Sequence, residues 1–247
     1  MTTNVLRDSA IAAVPGLSFV QEGAVLTARL ASPDGNLMTM AMCDALAAVL
    51  DAPPEGAHVM VLSAEGDTFC MGRERTATSP DDLPGEVRRL VAVNDALADT
   101  SLVTVARVHG DAAGFGVGLA ALCDIAIATR AAQFSFPEVR INLAPALVLA
   151  WLPRMVGRRA AFWLTSSGAP VSGEEAVRIG LVNDVADGID QLDAAVAAKV
   201  AALLPAEPRV HKEIKAMLRS VESLSERQSY ELASDRLVLG SMRRLQK

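Results

Sequence analysis

One carboxylate and three glycines carry the densest chemistry in this 247-residue chain. Gly114, Gly116 and Gly118 follow a Val- and Thr-rich run, Ser101 to Val108, on the way into an apolar helix. A strand that turns through glycines into a helix aims unsatisfied backbone N–H groups at one point, and such a point suits an anionic oxygen. After a second apolar run, Asp124 to Thr129, Glu138 follows directly on Pro137. A carboxylate placed beside that point can act as acid or base. The same residues have plainer readings. A Glu after a Pro is common at helix starts and can pair with Arg140, and glycines also mark close packing.

The remaining polar groups in this stretch read as structural. Asp124, at the head of an apolar strand, is expected to accept backbone N–H bonds. His109 is expected to be buried and hydrogen-bonded, and Asp111 to have at most a minor polar role.

Composition narrows the classes. About half the residues are apolar, which describes a globular chain with a large core. A net charge of −6 argues against general affinity for nucleic acid or an anionic membrane. Cys43, Cys70 and Cys123 are odd in number and far apart, so no disulfide framework is expected and a reducing cytoplasm is the expected compartment. His58, His109 and His211 are equally scattered, and no metal site is expected. The first residues, with Thr2, Thr3 and Asn4 before Arg7 and Asp8, do not read as a signal peptide. The apolar run Ile141–Leu152 is too short to span a bilayer and contains Pro145.

The elements that must position these residues alternate between strand and helix. Leu17–Gln21 and Ala24–Leu30 read as a hairpin turning at Glu22-Gly23. Asn36 is expected to cap a helix running to Leu50. His58–Ser63 is a continuous apolar run, as in a parallel strand buried on both faces. Thr76–Gly85, rich in Thr, Ser, Asp and Pro, is expected to be a mobile loop. Val87–Ala98 reads as an amphipathic helix, and Ala144–Met155 as a buried helix starting near Pro145. Ser172 with Glu175 three residues on forms a capping box. Leu181–Val185 is expected to be a strand, and helices are expected over Asp190–Leu204, Pro208–Ser220 and Glu222–Arg244. The class is therefore α/β, with a helical C-terminal region.

Several short patterns in fixed order carry a resemblance. They are Phe69-Cys70-Met71-Gly72-Arg73, then Val108-His109-Gly110 with the Gly114–Gly118 turn, and then Cys123-Asp124-Ile125-Ala126. Gln133 to Glu138 follows, and then Ser172 to Val182. Together they resemble the crotonase superfamily, the enoyl-CoA hydratases and isomerases.

The resemblance implies a spiral of ββα units over residues 1–195 and a helical region over 196–247 that drives homotrimer or hexamer formation. It implies an acyl-CoA substrate and no cofactor beyond the CoA that the substrate carries. It places two backbone N–H donors for a thioester oxygen at Arg73 and Phe115, and the acid/base at Glu138. Met71, Gly72, Gly114, Gly118, Phe136 and Ala146 are the expected substrate-binding positions, with Leu143 and Trp151 as further pocket walls. Arg73, Lys212 and Lys215 are candidates for CoA phosphates, with solvent as the plainer alternative.

Two positions depart from the family pattern. Phe115 replaces the family's middle glycine. The first of the two glutamates found in the best-known hydratases is Gly118 here, which leaves one acid. One glutamate can isomerise a double bond, and it can also hydrate one if it both activates the water and passes on its proton. Hydratases of branched glutaconyl-type CoA esters resemble this chain at Glu138-Val-Arg-Ile and Leu143-Ala-Pro-Ala, so hydration stays open. A thioester hydrolase of the same fold and an acyl-CoA-binding or assembly homologue without turnover are the alternatives.

Overall fold

The computed structural model describes residues 14–245, so the reading of the first residues as no signal peptide lies outside them. The chain divides into two compact units, one ending at Pro205 and one beginning at Ala206. Among the described residues no helix is long and apolar enough to cross a membrane.

The first unit opens with the hairpin β1 (Leu17–Glu22) and β2 (Val25–Leu30), paired antiparallel. After α1 (Met40–Asp51) the chain repeats a pattern of two strands followed by helix. The first repeat is β3 (Val59–Ala64), β4 (Thr68–Cys70) and α2 (Leu83–Asp99). The second is β5 (Val103–Val108), β6 (Asp111–Ala113) and α3 (Phe115–Ala121). The third is β7 (Ile125–Thr129), β8 (Gln133–Ser135), a 3-10 turn (Pro137–Ile141), α4 (Ala146–Leu149) and α5 (Leu152–Ser167). The unit closes with β9 (Val171–Ser172), α6 (Gly173–Arg178), β10 (Asp184–Ala186) and α7 (Ile189–Leu203).

The first strand of each repeat enters a six-stranded sheet of order β1-β2-β3-β5-β7-β10, and the second enters a four-stranded sheet of order β4-β6-β8-β9. From β2 onward the larger sheet is parallel. Its central strand β3 is buried on both faces, as its unbroken apolar run requires. Val59, Val61, Val103 and Val105 pack with Leu192, Val196 and Val200 of α7. Met60, Leu62 and Ala106, on the opposite face, belong to the main core.

Four local expectations change. Asn36 does not cap α1; Thr39 does, accepting from the Met42 N–H. Asn36 is buried in a left-handed conformation, where its amide donates to Glu65 and Thr68 carbonyls and accepts from Ser32 N–H. The expected buried helix from Ala144 is the short, largely exposed α4, and α5 restarts at Leu152 and is broken at Gly157. The expected strand over Leu181–Val185 begins only at Asp184, because the Leu181 and Val182 N–H groups donate to the Ala176 carbonyl and close α6. The division between units falls after α7, which runs unbroken through residue 195 with Leu192, Val196 and Val200 buried.

The second unit consists of α8 (Pro208–Val221) and α9 (Glu226–Leu245). Glu213 pairs with Arg209 at 2.9 Å and with Arg243. Val210, Ile214 and Leu218 form an exposed apolar row at helical spacing on α8.

Candidate active site

Two backbone segments approach each other at the ends of β4 and β6. Gly72 takes φ 115°, a conformation that favours glycine, and a Cβ there would sit 3.4 Å from the Ala113 carbonyl oxygen. Gly116 lies closer still to the first segment: a Cβ would fall 2.0 Å from the Cys70 carbonyl oxygen. Glycine at 116 is therefore what allows α3 to start against β4.

On the far side Met38 bridges this segment. Its N–H donates to the Gly72 carbonyl at 2.9 Å, and its carbonyl accepts from the Glu74 N–H at 3.0 Å. Bonding to residues 72 and 74 turns the Arg73 N–H away from Met38. Gly114, at φ 51° and ψ −117°, donates to the Ser135 carbonyl at 2.9 Å and leads into the first turn of α3. Neither the Arg73 nor the Phe115 N–H donates to an acceptor among the described residues. Both residues line one cavity of about 630 Å³.

Glu138 enters the same cavity from the 3-10 turn, whose left-handed exit at Asn142 is stabilised by bonds to the Glu138 and Val139 carbonyls. Its carboxylate lies directly over Gly114: a Cβ on that glycine would meet Oε1 at 2.7 Å. Oε2 is buried without a hydrogen-bond partner among the described residues. Burial raises the Glu138 pKa, partly offset by a backbone hydrogen bond and by the Arg75 charge. A proton-accepting group at neutral pH benefits from that direction of shift. Among the described residues Glu138 is the sole carboxylate lining the cavity.

The Arg73 guanidinium is not directed to a phosphate site. It pairs with Glu86 of α2 at 2.5 Å. The other Glu86 oxygen accepts from the Thr76 N–H at 2.9 Å and its hydroxyl at 2.7 Å. Glu86 is only 4% exposed, and its pKa is lowered to about 2, with the Thr76 hydroxyl as the largest cause. The Asp82 carboxylate accepts from Thr78 and Ser79. Two carboxylates therefore tie down the stretch expected to be a mobile loop.

Of the nine expected site positions, Glu138, Arg73, Phe115, Met71, Gly72, Gly114, Gly118 and Ala146 line the cavity. Phe136 does not. It is 1% exposed and packs edge-on against Trp151, with ring centroids 6.4 Å apart, so it supports the wall from behind. Trp151 itself lines the cavity, and its ring lies 3.6 Å from where a Cβ on Gly118 would stand. The indole thus occupies the space into which a side chain at 118 would grow.

Asp124 has the structural role expected of it, accepting from the Thr104 N–H at 2.8 Å and hydroxyl at 3.0 Å. The Asp111 carboxylate accepts from the Gln133 N–H, and His109 Nε2 bonds to the Gly66 carbonyl at 2.8 Å. Sequence reasoning missed Arg75 and the α2 wall of Val87, Leu90 and Asn94. The spacing of the last three, i, i+3 and i+7, was the available signal that they share a helix face. Asn94 is half-buried, and its Oδ1 has no partner among the described residues.

Such a site can polarise a carbonyl with main-chain donors and move a proton beside it. Several known proteins similar to this chain carry the name enoyl-CoA hydratase. The mouse mitochondrial enoyl-CoA hydratase domain-containing protein 3 is 30% identical over 201 residues, 79% of this chain but 63% of that protein, under two thirds of its length. A solved enoyl-CoA hydratase from Mycobacterium smegmatis superposes with TM-score 0.87 at 30% identity, covering 93% of this chain and 92% of that one. A putative enoyl-CoA hydratase from Thermobifida fusca, solved in complex with CoA, gives TM-score 0.84 at 25% identity, with 94% and 95% covered. The family described as enoyl-CoA hydratase/isomerase matches residues 21–242. The chain is thus a member of the enoyl-CoA hydratase/isomerase family, within the crotonase superfamily.

Proposed function

We propose that this chain shifts a double bond in an acyl-CoA thioester, with Glu138 carrying a proton from one carbon of the acyl chain to another. One observation carries the reading: a single cavity joins the backbone at 73 and 115 to Glu138, its sole carboxylate among the described residues. The thioester oxygen accepts from the Arg73 and Phe115 N–H groups. Glu138 removes a proton from the carbon next to the carbonyl, and negative charge moves onto that oxygen as an enolate. The proton then returns from Glu138 to the carbon two positions further along. Preorganised donors in a water-poor pocket contribute about 3–4 kcal/mol each to such a transition state. The chemistry calls on no cofactor beyond the CoA that the substrate carries.

Hydration is the second reading, favoured by the names of the similar proteins. It would require Glu138 both to activate water and to return its proton. Trp151 beside Gly118 works against a second acid on that wall. Assembly as a homotrimer or hexamer belongs to the same proposal, supported by the exposed Val210, Ile214 and Leu218 row. A monomeric mass by light scattering at working concentration overturns that part.

The deciding experiment follows 2-enoyl- and 3-enoyl-CoA substrates with wild type and Glu138→Gln. Interconversion without oxygen taken from labelled water, lost in Glu138→Gln, is the expected result. Oxygen uptake selects hydration, and release of free CoA thiol selects hydrolysis. Binding without turnover across the panel points to a binding or assembly role. Unchanged turnover in Glu138→Gln overturns the assignment.

A further inference from the structure

The segment from Arg73 to Thr76 is held from two sides by unrelated means. Met38 bonds to its backbone on one side. On the other, the two oxygens of one carboxylate, Glu86, divide between the Arg73 guanidinium and the Thr76 N–H and hydroxyl. Glu86 sits in the first turn of α2, and α2 supplies Val87, Leu90 and Asn94 to the cavity wall. The carboxylate therefore ties the lip of the cavity to its wall.

A buried carboxylate needs paired partners to offset the loss of water, and those of Glu86, namely Arg73, Thr76 and the Ala77 backbone, lie within the five residues 73–77. Such a group would be an expensive way to stabilise a fold that the Met38 bridge and the core already hold. It suits a segment whose placement matters.

We infer that Glu86 is a positioning residue, which fixes the Arg73–Thr76 lip so that the Arg73 N–H stays aimed at the substrate oxygen. The inference rests on the proposed role of that N–H. Glu86 touches no reacting atom and acts through residue 73. Arg73 serves twice, its main chain facing the cavity and its side chain anchoring the lip. A displacement of about 1 Å at a positioned donor costs on the order of a hundredfold in rate.

The test uses the full chain and three variants: Glu86→Gln, Thr76→Val and the double variant Arg73→Met with Glu86→Gln. Two readouts are taken, kcat against the Kd of a saturated acyl-CoA, and hydrogen exchange of the amides at residues 73–76. In Glu86→Gln we expect kcat to fall about 10–100-fold, with Kd changed less than about threefold and exchange at 73–76 accelerated. The double variant removes the guanidinium left unpaired and is expected to be no slower than Glu86→Gln alone. Thr76→Val, which keeps the salt bridge, shows a smaller fall and remains informative if Glu86→Gln does not fold. A lower melting temperature with unchanged kcat overturns the inference, and so does unchanged exchange. Wild-type protein that turns over no acyl-CoA sinks the proposed function first, before any variant is compared.

Discussion

Gly116→Ala isolates the backbone geometry of the site from its side chains. Gly116 is not in a left-handed conformation, so alanine meets no conformational strain there. The methyl, however, would stand 2.0 Å from the Cys70 carbonyl oxygen and 2.7 Å from its carbon. Ordinary contact begins near 3.4 Å, so α3 and the end of β4 must separate by roughly 1.4 Å. Those two segments carry the Phe115 and Arg73 N–H groups. Misplacing a donor by about 1 Å costs on the order of a hundredfold, and losing one donor outright costs about 10²–10³ in kcat.

The expected result is kcat lowered by about 10²–10³, with a far-UV spectrum like that of wild type. Gly118→Ala is the control on the same helix. Its methyl meets only the Trp151 ring at 3.6 Å, an ordinary contact, so kcat should stay within about tenfold. Its stability should rise by up to about 1 kcal/mol from helix propensity. Initial rates with the best enoyl-CoA substrate decide the matter. Folded Gly116→Ala with a kcat within about threefold of wild type refutes the proposed use of these two N–H groups.

Other perturbations follow from the same physics. The raised Glu138 pKa predicts an acid limb in the pH–rate profile above the ordinary glutamate value of about 4.3, lost in Glu138→Gln. The sign for stability is opposite to that of a salt-bridged acid. Burial of Glu138 penalises the native state once pH rises through its folded pKa, and relieves it as pH falls back toward the unfolded value. Glu138→Gln should therefore melt at or above wild type at pH 7–8 while losing about 10²–10⁴ in rate. Asn94→Leu replaces an under-bonded amide in a largely apolar wall and should raise stability by up to about 1 kcal/mol, read from chemical denaturation. Burial pushes the Cys43 and Cys70 thiols up to about 12, so native protein at pH 8 should leave both unmodified by a thiol reagent until denaturant is added.

What could be read ahead of the structure depended on whether a feature is local. The buried strand β3 and the Ser172 cap, which accepts from the Glu175 N–H, each rest on residues a few positions apart and formed as expected, whereas the Glu175 carboxylate of the capping box turns to Arg178 instead. Glu138 and Gly114 lie in one stretch, so their meeting needed only β8 and its turn to return beside β6. Arg73 was reached through resemblance, but the fate of its guanidinium depends on Glu86, thirteen positions on and across the lip. Asn36 turns its side-chain oxygen back to the Ser32 N–H and donates its amide to the Glu65 and Thr68 carbonyls, distant partners that no local pattern contains. Phe136 and Trp151 are adjacent aromatics in space, and only packing decides which one faces the cavity. The helix expected from Ala144 stops at Leu149, and α5 then breaks at Gly157, whose φ of 79° and ψ of 157° no helical period predicts.

The indole beside Gly118 also constrains how this site can change. A lone Gly118→Glu substitution would drive its carboxylate toward a ring already in contact distance of the first added atom. Trp151 is buried and braced by Phe136, so it cannot simply swing aside. A route to two-carboxylate chemistry therefore runs first through a smaller residue at 151, a step that opens a void before any acid can fill it. The intermediate is less stable and gains no new chemistry, so the one-acid arrangement is guarded by the order in which its replacements would have to come.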